Sequence, residues 1–93
     1  MAPRVAGRAL RRLLAAEDAA PPAAELRAVA GDTLAAELVA AARDEGEAPL
    51  VRTRAIAALR HGHDVESERC LRELAAGART AYARALATRA LGR

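Results

Sequence analysis

The sequence predicts an all-α domain of about six short helices, and three observations carry the prediction. Alanine fills 28 of the 93 positions and leucine twelve, and these are among the strongest helix formers. The residues that strands lean on are scarce: five Val, one Ile and a single aromatic, Tyr82. Apolar residues recur at three- and four-residue spacing in short stretches broken by Gly, Pro and Asp.

The first helix is expected over residues 4–16. Val5, Ala9, Leu10, Leu13 and Leu14 gather on one side of a helical wheel, and Arg4, Arg8, Arg11 and Arg12 on the other. Glu17 and Asp18 are unfavourable at a helix C-terminus, and Pro21-Pro22 stop the helix. Pro22 suits the first position of a second helix over 22–30, with Glu25 in its first turn. Leu26, Val29 and Ala30 form its buried face. A continuous helix to residue 45 would set Glu37 inside the apolar stripe, so the chain is expected to break at Gly31-Asp32. With Asp32 as N-cap, a third helix over 33–45 buries Leu34, Leu38, Ala41 and Ala42.

Gly46-Glu47-Ala48-Pro49 makes the next turn, Gly46 following the helix end. The fourth helix, 50–60, turns Val51, Ala55, Ala58 and Leu59 inward and Arg54 and Arg60 to water. His61-Gly62-His63-Asp64 ends it. Asp64 caps the fifth helix, 65–76, which buries Cys70, Leu71 and Leu74. Beyond Gly77 the sixth helix, 79–91, buries Tyr82, Leu86 and Ala90. Every connection is short, so neighbouring helices run antiparallel or nearly so.

The length bounds the chain to one domain, 1–93. With no Phe or Trp, much of its core contact must come from Ala methyl groups. These let helix axes approach toward the short end of the roughly 8–10 Å range. Such a thin core gains stability from a partner or from self-association. Fifteen Arg against twelve acids leave a net charge of +3, with no Lys. The surplus is uneven: Arg79, Arg84, Arg89 and Arg93 follow Glu73, the last acid. A lone Cys70 excludes an internal disulfide framework. No apolar run approaches the roughly 18 residues of a membrane span. Residues 1–16 are Arg-rich and acid-free but contain no Ser, and no uninterrupted apolar segment marks a secretory signal. The expected location is cytoplasmic.

A shift of 32 residues superimposes part of the chain on itself. Arg52, Ala55, Ala58 and Leu59 fall on Arg84, Ala87, Ala90 and Leu91, while Leu38, Val39 and Ala42 fall on Cys70, Leu71 and Leu74. Val51-Arg52, Ala55 and Ala58-Leu59 resemble the first helix of bacterial HEAT-like repeats, as do Ala83-Arg84, Ala87 and Ala90-Leu91-Gly92. The resemblance is best over residues 49–93, about a repeat and a half, and loose over 22–46. It departs at Arg60-His61, where that family prefers Gly, and residues 1–20 have no counterpart except as a capping helix. It implies a short stack of helical hairpins, an α-solenoid fragment. A compact five- or six-helix bundle is the alternative that the same pattern allows.

Candidate chemistry is sparse. The arginines at 4, 8, 11 and 12 could meet phosphates, an anionic surface or an acidic partner, or could simply solvate a terminal helix. Arg52 and Arg84 occupy the same repeat position, either as an aligned pair on a binding surface or as partners of acids and carbonyls at helix ends. His61, His63 and Asp64 fall short of the three or four converging ligands that a zinc ion takes. Some HEAT-like enzymes bind iron through His-Glu pairs; this chain has no such dipeptide, so that metal- or pigment-processing activity does not carry over. Cys70 belongs to a buried face rather than to a nucleophile site.

The sequence therefore points to a non-enzymatic interaction or scaffold module, a subunit or adaptor with no catalytic, cofactor or metal residues. Its expected partner is a protein, with self-association open. The alternative is a basic nucleic-acid-binding protein that contacts phosphates. The candidate interaction residues are Arg4, Arg8, Arg11, Arg12, Arg52 and Arg84.

Overall fold

Proline, glycine and one aspartate set most of the helix boundaries in the computed structural model. It describes residues 5–16 and 20–92, with backbone alone at 5–8. These residues form six α-helices: α1 (Val5–Leu14), α2 (Ala23–Ala30), α3 (Leu34–Arg43), α4 (Pro49–Ala58), α5 (Val65–Gly77) and α6 (Ala81–Gly92). Tight 3₁₀ turns at Gly31–Thr33 and Leu59–His61 follow α2 and α4, and the described residues contain no strand.

Pro49 opens α4 as its first residue, where its missing N–H costs nothing. Pro22 instead stands just outside α2 in extended backbone, and its carbonyl accepts from Glu25 N at 3.0 Å. Asp64 caps α5 as expected, accepting from Ser67 N at 3.0 Å. Asp32 does not cap α3. The chain leaves α2 through Gly31 at φ +56°, a region that side-chain-bearing residues avoid. The following 3₁₀ turn moves the start of α3 past Asp32. Thr33 closes that turn, its hydroxyl lying 2.9 Å from the Ala30 carbonyl and 2.6 Å from the Glu37 carboxylate.

The helices lie in two layers. The α3–α4 and α5–α6 hairpins stack so that α3 packs on α5 and α4 on α6. The first pair enters in the opposite order, with α1 against α4 and α2 against α3. One layer is thus α2, α3 and α5; the other is α1, α4 and α6. The 32-residue shift has a spatial meaning: Leu38 and Cys70, Val39 and Leu71, Val51 and Ala83, and Ala55 and Ala87 are all buried between the layers. The Cα radius of gyration is 12.1 Å, close to the roughly 12 Å of a globular chain this long.

Leu10, Leu14, Leu26, Ile56, Leu59 and Leu71 are the large apolar side chains buried most completely. Three expected core residues stand outside. Ala9 is exposed, Val29 is 36% exposed and Tyr82 is 65% exposed. The α6 helix turns Ala83, Ala87 and Ala90 inward instead. Methyl groups on that face let α6 settle against both α4 and α5, whereas an inward phenol ring would hold the axes apart.

Candidate interaction surface

Most arginines are engaged within the fold. Arg52 donates through Nε to the Ala42 carbonyl at 2.9 Å, and Arg84 donates to the Ala78 carbonyl at 2.6 Å. Arg54, expected to face water, is half-buried and donates to the carbonyls of Leu14 and Ala16. These three side chains of α4 and α6 thus serve the C-terminal ends of α3, α5 and α1. Helix C-termini leave unpaired carbonyls and partial negative charge, which a guanidinium answers on both counts. Arg43 pairs with Glu73 at 2.8 Å and Arg79 with Glu45 at 3.5 Å, joining the C-terminal end of α3 to α5 and the turn after it.

The four-arginine face of the first helix is only partly described. Arg4 lies outside the described residues, and Arg8 falls in α1 without a described side chain. Arg11 pairs through Nε with Glu47 at 2.8 Å, fastening α1 to the turn before α4. Arg12 is exposed. Of the six arginines singled out from sequence, Arg52 and Arg84 hold carbonyls at helix ends, Arg11 holds Glu47, and Arg12 is exposed.

A different surface emerges at the C-terminal ends of α4 and α6. A groove of about 370 Å³ runs between them, lined by the apolar Ala57, Leu86 and Ala90 and by Arg60 and Arg89. Both arginines are exposed, and neither makes an ion pair or side-chain hydrogen bond among the described residues. Arg60 also borders a second cleft of about 140 Å³ with Leu14, Pro21 and His61. His61 continues into a third, of about 240 Å³, over Leu26, Leu34 and Leu38, where Arg27 and Asp32 are the charged lining residues. Sequence reasoning missed this run. Its one available signal was Arg60-His61, where the repeat pattern has Gly.

The remaining chemistry-bearing residues are structural in their geometry. Ser67 is fully buried and donates through Oγ to Asp64 Oδ1 at 2.7 Å. That hydrogen bond holds the Asp64 carboxyl below its ordinary pKa, against a smaller opposing effect of desolvation. Gly62 must be small, because a Cβ there would lie 2.7 Å from Ser67 Oγ. Cys70 is buried, and desolvation raises its thiol pKa, so the reactive thiolate is disfavoured. Among the described residues, no three His, Cys, Asp or Glu side chains gather as metal ligands, and no helix is long and apolar enough to cross a membrane.

No family profile, curated protein or solved structure matches the chain.

Proposed function

We propose that this chain is a non-enzymatic protein–protein interaction module of HEAT-repeat type, acting in the cytoplasm as a subunit or adaptor of a larger assembly. The observation that supports it most is a recurrence of exposure. Leu50 and Tyr82 stand 32 positions apart, in the first turns of the stacked helices α4 and α6, and are 39% and 65% exposed. A fold that repeats its inner face for packing and also repeats an outward apolar position presents a surface suited to a second protein. The thin core supports the same reading, since docking buries area that the isolated chain leaves wet. A buried, unpaired Cys70 accords with a reducing compartment.

Size-exclusion chromatography with light scattering, followed by affinity capture from the native lysate, tests the reading. A self-associated species or a defined co-purifying protein is expected. A monomer at all concentrations that retains no protein would overturn it.

The second reading, phosphate-dependent nucleic-acid binding, draws on Arg12, Arg27, Arg60 and Arg89, all exposed and outside the ion pairs of the described residues. It requires affinity for a DNA duplex that falls steeply as salt rises. Flat or absent binding at low salt eliminates it.

A further inference from the structure

We infer that the groove between α4 and α6 docks an acidic amphipathic helix of a partner protein, its carboxylates on Arg60 and Arg89 and its apolar side chains over Ala57, Leu86 and Ala90. The inference rests on the interaction-module reading and gives it a site and a partner chemistry.

Charge complementarity selects this occupant. Eight arginines meet carboxylates or carbonyls: Arg11, Arg43, Arg69, Arg72 and Arg79 hold acids, and Arg52, Arg54 and Arg84 hold helix ends, which leaves Arg12, Arg27, Arg60 and Arg89 outside such contacts among the described residues. Of these four, Arg60 and Arg89 alone line one groove, Arg60 from the 3₁₀ turn after α4 and Arg89 from α6. Among the described residues, no acidic side chain lines that groove. Two exposed guanidiniums with no carboxylate partner among the described residues, beside an apolar floor, match a ligand that carries both acidic and apolar side chains.

Shape narrows the choice further. Two short connections separate α4 from α6, so the two helices run the same way and bring Arg60, in the 3₁₀ turn that follows α4, to the same end as Arg89 of α6. Their opposite ends carry the exposed Leu50 and Tyr82. Along its 12 residues α6 is about 18 Å long. The surface is therefore apolar toward one end and cationic at the other, over about three helical turns, which is the scale of helix-in-groove recognition. A nucleic acid fits less well. The groove itself offers it two cations and an alkyl floor, and the exposed aromatic, Tyr82, stands at the far end of α6 from both arginines.

The test uses a fluorescein-labelled synthetic helix of about four turns, with Leu at three- and four-residue spacing on one face and Glu at one end. A matched helix carries Lys in place of Glu, and a short DNA duplex is the third probe. Fluorescence anisotropy reads binding to the intact chain, to R60E/R89E and to an R72E control on α5, with circular dichroism confirming that each variant is folded. Arg60 and Arg89 are exposed and hold no partner among the described residues, so their reversal should leave the fold intact. The Glu helix should bind, and R60E/R89E should weaken it by at least about tenfold while gaining affinity for the Lys helix. R72E should change binding by less than about twofold. Equal binding of Glu and Lys helices to the native chain, or an unchanged affinity in R60E/R89E, would overturn the site. Tighter, salt-sensitive binding of the duplex would overturn it in favour of nucleic acid. Lysate capture separates the two levels. If the native chain and R60E/R89E retain the same proteins, the groove is wrong and the module reading stands. If the native chain stays monomeric and retains none, the module reading falls.

Discussion

Arg52 and Arg84 hold equivalent places in the two hairpins, and each donates a hydrogen bond to a carbonyl at the end of the preceding helix, Ala42 for one and Ala78 for the other. The guanidinium locks the hairpin turn by answering the unpaired carbonyls and the helix dipole together.

Removing either lock should cost stability. Arg52→Met and Arg84→Met keep the apolar stem and lose the donors. Each should destabilise the fold by about 1.5 kcal/mol, the low end for charged hydrogen bonds because both side chains are part-exposed. Urea denaturation followed by circular dichroism checks this. R60E/R89E should show the converse, lost binding with an unchanged midpoint. If the Met variants unfold at the native midpoint, the lock is decorative.

Asp64 gives the α5 cap a pH dependence of known sign. Its carboxyl is held below the ordinary aspartate value of 3.8, chiefly by the Ser67 hydroxyl. A lowered folded-state pKa stabilises the fold above the unfolded value, and the contribution is lost as pH falls through the folded one. Asp64→Ala should cost about 1–3 kcal/mol at neutral pH, because the cap goes and the buried Ser67 hydroxyl is orphaned. The gap between the two proteins should shrink below pH 3.8. A gap that persists to the acid limit would show that the charge contributes nothing.

Glycine replacements should divide by what a methyl group meets. Gly62→Ala would press on Ser67 Oγ at 2.7 Å and Asp64 Oδ1 at 3.1 Å, and should cost about 1–3 kcal/mol. Gly31→Ala meets no atom within 4 Å but must hold φ at +56°, at a cost of about 1–3 kcal/mol. Gly77→Ala, at the end of α5 with no atom within 4 Å, should instead raise stability by up to about 1 kcal/mol. Thermal melts of the three variants settle the ordering. Equal effects would mean that local backbone, and not these contacts, governs.

Cys70 should resist thiol reagents in the folded protein. Its side chain is fully buried and burial raises its pKa, so modification must wait for opening of α5. Labelling with a chromogenic disulfide should be slow in buffer and fast in denaturant. A native rate matching that of free cysteine would refute the burial.

Much of the architecture was legible along the chain because it rests on local chemistry. Pro49 and Asp64 act where they stand, the Gly31 break needs only its own backbone, and the 32-residue periodicity of Leu38/Cys70 and Val39/Leu71 reports a shared inner face. The errors fell where local rules compete. Asp32 satisfies every rule for an N-cap, but the 3₁₀ turn carries the helix start past it. Tyr82 is the largest apolar candidate on α6, yet it holds the repeat position that Leu50 holds on α4, and both are exposed. The groove was harder to see, because its residues are distant in sequence and nothing local marks Arg60 and Arg89 as a pair.

The amino-acid order by itself determined that this protein is all helix, where most of its turns fall and which faces recur, since backbone preference and apolar spacing act within a few residues. Which arginines are consumed and which are left to bind was decided only by the packed structure. A carbonyl at a helix end becomes a partner for Arg52, Arg54 or Arg84 only after the layers close, and Arg60 and Arg89 meet across a groove that exists only because α6 lies along α4.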